Sequence, residues 1–212
     1  MANIEPFEKL PNKYDQWFNL NYYTYQSELH AVKEVLPARG SGMEVGIGSG
    51  RFAKPLGIKV GIEPSSEMRI IASSRGIDVI NGIAESLPFN NRQFDFVLMI
   101  TTLCFIDDVN AAFKEVFRVL KQHGFFIVGF IDKESPLGHL YQTHKNDNLF
   151  YKAAKFYSVY GVISYLREND FCKLRYIQTI FHNLSEIKET EPVKVGFGEG
   201  SFVCLLYTSP SP

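Results

Sequence analysis

The sequence is poor in cysteine, and this shortage excludes two kinds of stabilised fold. Its 212 residues include three cysteines, Cys104, Cys172 and Cys204, which stand apart from one another in apolar surroundings. An odd number of isolated cysteines is typical of buried thiols and not of a disulfide framework or a zinc site. His139 and His144 have roughly helical spacing but no evident third ligand, so we expect no metal site. The cytoplasm, a reducing compartment, is the expected location.

The sequence also lacks an excess of either charge and lacks long apolar runs. It has 22 basic and 23 acidic residues, a formal net charge of −1. Proteins that bind nucleic acids usually have a strong basic excess, so we expect no nucleic-acid partner. No apolar run has the length that crosses a bilayer, and residues 1–10 lack a signal-peptide core, so we expect no membrane span. The remaining class is a globular domain with an ordinary 45% of hydrophobic residues.

What the sequence does contain is an alternation of apolar runs and helical periods, which predicts an α/β fold with a parallel sheet. Two late strands have no convincing helix between them, so we expect them to be antiparallel. Asp107 or Asp108 is expected to cap the clearest helix, and Ser65 to cap an earlier one. The predicted strands are 42–45, 59–62, 77–80, 94–100, 125–130, 171–181 and 202–207.

Three glycines at alternate positions follow the first of these strands. Gly46, Gly48 and Gly50 begin two residues after Glu44, and Glu63 ends the next strand. Because glycine has no Cβ, such a loop can turn sharply and bring its backbone against a ligand. An acidic residue at the tip of the second strand is placed to accept hydrogen bonds from ribose hydroxyls. Glu63 therefore favours a cofactor site over the alternative, a plain glycine-rich turn.

The spacing of the glycines distinguishes two kinds of cofactor. A dinucleotide fingerprint, G-x-G-x-x-G, requires its third glycine at position 51, which is Arg51. The order E-x-G-x-G-x-G instead resembles motif I of class I S-adenosylmethionine-dependent methyltransferases, whose ligand has no pyrophosphate. Residues 82–89, GIAESLPF, are similar to the adenine-binding motif G-D-A-x-x-L-P-F of that family. Residues 94–97 resemble its fourth strand, and residues 113–121 resemble its E-x-x-R-V-L-K helix.

The resemblance covers most of the chain and is strongest to the small-molecule type of this family (methyltransferase type 11), which includes ubiquinone and menaquinone methyltransferases. It implies a Rossmann-like seven-stranded sheet, parallel with an antiparallel last strand, with helices on both faces and a small helical cap. It also implies S-adenosylmethionine as cofactor, S-adenosylhomocysteine as product, and methyl transfer to a small-molecule acceptor (EC 2.1.1.-). The acceptor and the oligomeric state remain open.

The resemblance assigns the cofactor contacts residue by residue. It places the three glycines under the methionine moiety, with Glu44 organising their loop from below, and Glu63 on the ribose. The residues that it places around the ribose and adenine are Pro64, Ser65, Met68, Ala84, Glu85 and Leu87. Thr101 and Thr102 would line the methionine end, where the methyl group leaves. Ile83 stands where the family usually has Asp, so backbone and apolar contacts would have to hold the adenine.

The resemblance does not supply a catalytic base. Where members of the subgroup often carry His after the fourth strand, this chain has Leu103-Cys104-Phe105. Two rival hypotheses therefore stay open. One is a protein that binds S-adenosylmethionine or S-adenosylhomocysteine without turnover, and the other is a nicotinamide-dependent reductase, which Arg51 disfavours.

Three segments complete the expected organisation. Residues 1–36 form an N-terminal helical lid, residues 37–207 form the methyltransferase domain with a helical substrate cap inserted at about 135–169, and residues 208–212 form an unpacked tail. Most aromatic residues of the lid are expected to cover the sheet edge. The candidate contacts of the acceptor are Tyr14, Trp17, Tyr22, Phe105 and Tyr141, because an aromatic face favours a cationic sulfonium or substrate.

Overall fold

Eight strands form a single sheet in the computed structural model, which describes residues 4–209 except for the side chains of residues 173 and 174. The strands are β1 Gly42–Val45, β2 Val60–Ile62, β3 Asp78–Ile80, β4 Phe94–Ile100, β5 Leu120–Ile131, β6 Cys172–Thr179, β7 Lys194–Val195 and β8 Phe202–Thr208. The α-helices are α1 Glu5–Lys9, α2 Pro11–Leu20, α3 Tyr22–Val35, α4 Ala53–Leu56, α5 Ser66–Ser74, α6 Val109–Val119, α7 Pro136–Thr143 and α8 Val159–Glu168.

The strand order is β3-β2-β1-β4-β5-β8-β6-β7. The first five strands of this order are parallel, and β8 runs antiparallel to both of its neighbours, β5 and β6. The predicted fold class, a Rossmann-like α/β sheet with an antiparallel last strand, is confirmed. The sheet nevertheless has one strand more than the seven expected. The extra strand, β7, is a two-residue edge strand that pairs with β6, too short to give a period-two pattern.

Two apolar layers cover the two faces of the sheet. On one face, α3 packs against β4 and β8, and this layer includes Val32 of α3, Leu98 of β4 and Cys204 of β8. On the other face, α6 and α8 pack against alternate residues of the same strands, and this layer includes Phe113 of α6 and Val97 of β4. The alternation places successive side chains of each strand in different layers. The sheet is therefore covered on both faces, and its strand ends remain for a ligand.

The helix caps expected from the sequence are present where the cofactor loops begin. The Ser65 hydroxyl accepts a hydrogen bond from the Met68 amide at 3.3 Å, and Asp108 accepts one from the Ala111 amide at 3.0 Å. The crossover from β1 to β2 contains only the four-residue helix α4, which ends at Gly57, whose φ is +74°. This short crossover brings the glycine loop close to the tip of β2.

The C-terminal end is packed where an unpacked tail was expected. Thr208 belongs to β8, and the amide and hydroxyl of Ser209 donate to the carbonyls of Gly124 and Lys121, at 3.0 and 2.9 Å. The expectation for residues 208 and 209 is therefore wrong, because the strand pairing continues beyond the apolar run that marks it. Residues 210–212 of the expected tail, like residues 1–3 of the expected lid, lie outside the described residues.

Candidate functional site

A pocket lies at the carboxyl ends of β1, β2 and β4, where the resemblance predicts the cofactor. It has a volume of about 650 Å³, part of it open to solvent, which is within the range of small-molecule and cofactor sites. Ten of the residues assigned from the sequence line this first pocket: Tyr14, Gly46, Gly48, Glu63, Pro64, Ala84, Glu85, Thr101, Thr102 and Phe105. Parallel strands end here together, so residues distant in sequence converge.

The glycine loop lines this pocket at Gly46 and Gly48, two positions that have no side chain. Gly46 has a φ of +64°, and a Cβ at that position would lie 2.2 Å from Cγ2 of Thr102. The Thr102 hydroxyl also donates to the Gly46 carbonyl at 3.0 Å. A Cβ on Gly48 (φ +54°) would instead meet the Tyr14 ring at 3.7 Å. The loop backbone therefore lies between Thr102 and Tyr14. A side chain at position 46 would clash, whereas at position 48 the positive φ and not a lack of space favours glycine.

Glu63 is held at the tip of β2 by two backbone amides. Its Oε2 accepts a hydrogen bond from the Gly48 amide and its Oε1 accepts one from the Ser65 amide, both at 2.9 Å. Burial raises the pKa of this carboxyl, and the two amides act against that rise. Each oxygen keeps a second lone pair, and the side chain lines the first pocket. Two acceptors side by side fit the two vicinal hydroxyls of a ribose.

Glu44 lies beneath the loop and does not line the pocket. It is buried, and burial raises its pKa well above the ordinary value, although the Ala53 amide donates to it. Its Oε2 has no hydrogen-bond partner among the described residues. The bond to Ala53 joins the end of β1 to the start of α4, on either side of the glycine loop. The role that the resemblance gives to Glu44 stays a prediction.

Several other predicted residues lie behind the pocket wall or away from it. Ser65 and Met68 are fully buried in the first turn of α5, and Leu87 is buried in the sheet's apolar layer. Gly50 faces the core, because a Cβ there would meet Cδ1 of Ile77 at 2.5 Å. None of these four residues is among those that line the first pocket. Their assignments remain predictions of indirect support for the site.

The aromatic residues of the lid that were predicted to contact the acceptor also lie in different places. The Trp17 ring packs against Phe18 at 5.3 Å over the apolar layer that α3 covers. Tyr22 is 54% exposed and contacts the Tyr23 ring. Both rings lie outside the first pocket, and only Tyr14 of the three lid candidates lines it.

Sequence reasoning did not name several residues that line the first pocket. These residues are Ile4, Phe7, Val45, Ile62, Gly82 and Ile106, together with Ile83, which was named only as a departure from the family. Ile4 and Phe7 flank Pro6 at the start of α1, and a proline in a first turn with apolar residues at i and i+3 is the signal that could have found them. Ile83 lines the pocket, and its apolar contact with the adenine stays a prediction.

The segment from Leu87 to Phe89, next to the pocket, is fixed by α6. The Glu115 carboxylate accepts a hydrogen bond from the Leu87 amide at 2.7 Å, and Arg118 donates to the carbonyls of Leu87 and Phe89. Glu115 and Arg118 also form an ion pair at 2.7 Å. These two residues are the E-x-x-R of the motif noted in the sequence, so this motif positions the loop without touching a ligand.

The N-terminal helices are attached to the glycine loop through Asp15 on α2. Its carboxylate accepts hydrogen bonds from the Ser49 hydroxyl at 2.6 Å and from the guanidinium groups of Arg51 and Arg75. Partial burial opposes ionisation, but these donors outweigh it and hold the pKa of Asp15 well below its usual value. Arg51, which occupies the third-glycine position of a dinucleotide fingerprint, thus has a structural partner.

A second attachment closes α1 over the same pocket. Glu8 accepts hydrogen bonds from the backbone amide and the hydroxyl of Ser66, at the start of α5. At the preceding residue, the Phe7 ring contacts the rings of Tyr14 and Phe105 at 5.3 and 5.1 Å. A ligand in the first pocket would therefore be enclosed by aromatic rings from the N-terminal helices.

A second pocket, of about 410 Å³, adjoins the first at Thr101. Its walls come from the ends of β4 and β5, from α7 and from the segment after α7. The residues that line it are Thr101, Leu103, Cys104, Phe130, Ile131, Tyr141, Tyr151, Lys155, Phe156 and Tyr157. Tyr141, one of the predicted acceptor contacts, lies here and not in the first pocket. Thr101 has a φ of +53°, a strained backbone conformation of the kind that persists at functional sites.

Burial disfavours the charged forms of Tyr14, which lines the first pocket, and of Cys104, which lines the second. Burial raises the pKa of the Cys104 thiol to about 12, so this cysteine is not a thiolate nucleophile. Burial also raises the pKa of the Tyr14 phenol, which interacts with Thr101. Within the described part of the chain, no three His, Cys, Asp or Glu side chains converge as metal ligands.

The helices of residues 4–209 include none with the length and apolarity required to cross a membrane.

The fold and the site together define a Rossmann-like α/β protein with a nucleoside site at its strand ends, and comparisons with known proteins agree. A family model described as a methyltransferase domain matches residues 43–128. A crystal structure from Thermotoga maritima, of an S-adenosylmethionine-dependent methyltransferase described as a possible histamine N-methyltransferase, has a TM-score of 0.93 and 47% identity, covering 96% of this chain and 97% of that one.

Two further relatives extend this result. An uncharacterized protein of Methanocaldococcus jannaschii is 44% identical over 199 residues, which are 94% of this chain and 96% of that protein. An uncharacterized methyltransferase of Bacillus subtilis is 32% identical over 69% of this chain and 62% of its own length. The chain belongs to the class I S-adenosylmethionine-dependent methyltransferases, and S-adenosylmethionine is its cofactor.

Proposed function

We propose that this protein transfers the methyl group of S-adenosylmethionine to a small-molecule acceptor by in-line displacement. The observation that carries the proposal is the Glu63 carboxylate, fixed by two backbone amides with its remaining lone pairs available to a ribose in the first pocket. The bound cofactor supplies a methyl group already activated on a sulfonium, so the protein needs no means of activating a leaving group.

In this proposal, the residues around the cofactor have separate tasks. Glu63 binds the ribose, Ile83 and the backbone of Ala84 and Glu85 bind the adenine, and the loop of Gly46 and Gly48 lies under the methionine moiety. The acceptor occupies the second pocket and meets the methyl group at Thr101, the residue common to both pockets. Residues 1–36 act as the lid, and the segment of about 135–169 acts as the substrate cap.

Positioning and exclusion of water are the chain's main catalytic contributions in this scheme. Holding the nucleophile, the methyl carbon and the sulfur in line can account for several kcal/mol of the barrier, on the order of 7 or more in well-oriented systems. The ring contacts of Phe7 with Phe105 and Phe150, at 5.1 and 5.5 Å, close the apolar enclosure in which this alignment is possible. A general base is required only for an acceptor that is protonated at working pH.

Calorimetry with S-adenosylhomocysteine and with NAD tests the cofactor site. We expect S-adenosylhomocysteine to bind and NAD not to bind. Glu63→Ala should weaken S-adenosylhomocysteine binding by about 1–3 kcal/mol, because charge-assisted hydrogen bonds to the ribose are lost. Glu67→Ala, in the exposed first turn of α5, is the matched control and should bind like the unchanged protein. An unchanged dissociation constant for Glu63→Ala would reject the ribose assignment.

Transfer of a radiolabelled methyl group to small molecules separates turnover from binding alone. Histamine is one acceptor to include, because the Thermotoga maritima relative is described as a possible histamine N-methyltransferase. Label in a low-molecular-mass product supports the proposed function. Tight S-adenosylhomocysteine binding with no labelled product from a cell extract would instead support a binding protein without turnover.

A further inference from the structure

The second pocket has walls that consist largely of aromatic rings. Five of the residues that line it are aromatic: Phe130, Tyr141, Tyr151, Phe156 and Tyr157. The Tyr151 ring centroid is 4.7 Å from that of Tyr141 and 5.8 Å from that of Phe156. Such walls favour a flat aromatic ligand, because ring pairs gain stacked or edge contacts. The volume of about 410 Å³ is near the lower end of the range for small-molecule sites, so the ligand is small.

Lys155 brings the charge to this pocket. It is the one residue with a charged side chain among the described residues that line the second pocket. It is also exposed, so its side chain lies at the open side of the pocket. Its ammonium donates to the Asp107 carbonyl at 3.3 Å, a neutral acceptor, and forms no ion pair with a described residue. An ammonium has three donors, so two of them remain for an anion.

The backbone around Lys155 is attached to the two strands whose ends form the pocket. The Lys155 amide donates to the carbonyl of Cys104, in the turn after β4, at 2.8 Å. The preceding residue, Ala154, is fully buried. Two residues after Lys155, the Tyr157 carbonyl accepts a hydrogen bond from the amide of Lys133, just beyond β5, at 3.0 Å. Lys155 therefore belongs to a fixed wall of the pocket.

Charge then distinguishes the acceptors that this pocket can take. Thr101 is common to both pockets, and the proposed function places the sulfonium and its methyl group beside it. A cationic acceptor would face like charges from the sulfonium and from Lys155, and no carboxylate among the described lining residues offsets them. An anionic acceptor is attracted by both charges.

We infer that the acceptor is an aromatic carboxylic acid, whose carboxylate binds Lys155 while a different, nucleophilic atom faces Thr101. The inference rests on the proposed function and adds the chemical class of the acceptor. Lys155 lines only the second pocket, whereas Thr101 lines both, so the carboxylate is held back from the methyl group. The bond from the nucleophilic atom to the methyl carbon forms as the carbon–sulfur bond breaks, and a proton on that atom passes to water.

Calorimetry on the protein saturated with S-adenosylhomocysteine tests the inference. The probes are 4-hydroxybenzoate and 3-(4-hydroxyphenyl)propionate, each paired with its uncharged primary amide, and histamine as the cation. At least one acid should bind more tightly than its amide by about fivefold or more, the upper range for an ion pair at an exposed site. Histamine should bind more weakly than that acid. Equal binding of acids and amides, tighter binding of histamine, or binding of no probe would overturn the inference.

Variants of Lys155 assign the preference to its charge. Lys155→Met should remove the preference for the acid and leave S-adenosylhomocysteine binding unchanged, because methionine keeps an apolar stem without the ammonium. Lys155→Arg should retain the preference. Lys152→Met is the matched control, since Lys152 is exposed on the same segment and does not line the pocket, and it should also retain the preference. A preference that survives in Lys155→Met would overturn the inference.

The position of the label in the product is a second test and needs no variant. With radiolabelled S-adenosylmethionine and an acid that binds, the labelled product should be stable to mild alkali, because its carboxylate is free. A labelled methyl ester, which alkali cleaves, would show that the carboxylate itself is methylated. That result would overturn the inference and leave the proposed function in place. Failure of S-adenosylhomocysteine itself to bind would overturn the proposed function.

Discussion

Glu63 illustrates how single residues prepare the site before a ligand arrives. The amides of Gly48 and Ser65 fix its carboxylate, so its rotamer entropy is largely lost on folding and not on binding. The same two bonds connect the glycine loop to the start of α5. A change at Glu63 is therefore expected to affect both the ribose contact and the shape of the loop.

The glycine loop allows a matched comparison of strain with close packing. Gly46→Ala should abolish S-adenosylhomocysteine binding and destabilise the protein by about 2–4 kcal/mol, because the new methyl group meets Thr102 and φ is positive. Gly57→Ala also has a positive φ, +74°, but open space at its Cβ. It should cost about 1 kcal/mol and leave binding intact. Denaturant unfolding and calorimetry measure both effects, and equal losses for the two variants would contradict this account.

At the scale of elements, α2 and the glycine loop are joined by charge. Asp15 binds Arg51 and Arg75, which flank α4 and α5 in sequence, so three elements meet at one carboxylate. Both guanidinium groups are largely buried, with side chains 18% and 24% exposed. Such a partly buried network contributes more to stability than exposed ion pairs do.

This network predicts a defined pH dependence. Because the folded-state pKa of Asp15 is lowered, its contribution is fully present above the unfolded value near 4 and is lost as pH falls through the lower folded value. Asp15→Asn should therefore destabilise the protein by about 1–3 kcal/mol at pH 7, with a smaller difference from the unchanged protein below pH 3.

Urea unfolding at both pH values measures the effect of Asp15→Asn. Glu5→Gln, in the exposed Glu5–Lys9 pair, is the control and should have little effect at either pH. An Asp15→Asn difference that does not change with pH would show that Asp15 contributes by packing and not by charge.

At the scale of the whole molecule, the first pocket joins parts of the chain that are far apart in sequence. Phe7, Gly46, Glu63, Ala84 and Thr101 all line it, so a bound nucleoside would contact the N-terminal helices, the ends of β1, β2 and β4, and the loop that follows β3. Binding should therefore stabilise the folded chain as a unit.

A thermal shift measures this coupling. S-adenosylhomocysteine at a hundredfold excess over its dissociation constant should add about 2.7 kcal/mol to the free energy of unfolding. For a chain of this size that corresponds to a rise in Tm of roughly 5–10 °C. NAD at the same concentration should leave Tm unchanged. A rise with NAD and none with S-adenosylhomocysteine would contradict the cofactor assignment.

The strand ends were the most predictable part of the site. Glu44, Gly46 and Glu63 were assigned from local patterns, because loops at the ends of parallel strands need special backbone conformations that few residues allow. Strand β7 and the pairing of residues 208 and 209 were not predicted. Their hydrogen bonds go to distant strands, and no local period marks them.

The sequence by itself determined the order of strands and helices, the glycine loop and the acidic residue beside it, since each depends on a residue and its near neighbours. Only the tertiary structure decided that Phe7 faces the cofactor pocket, that Arg51 binds Asp15, and that Tyr141 lies in the second pocket. These contacts join segments that are separated along the chain, and packing between layers, not local periodicity, sets which side chains meet.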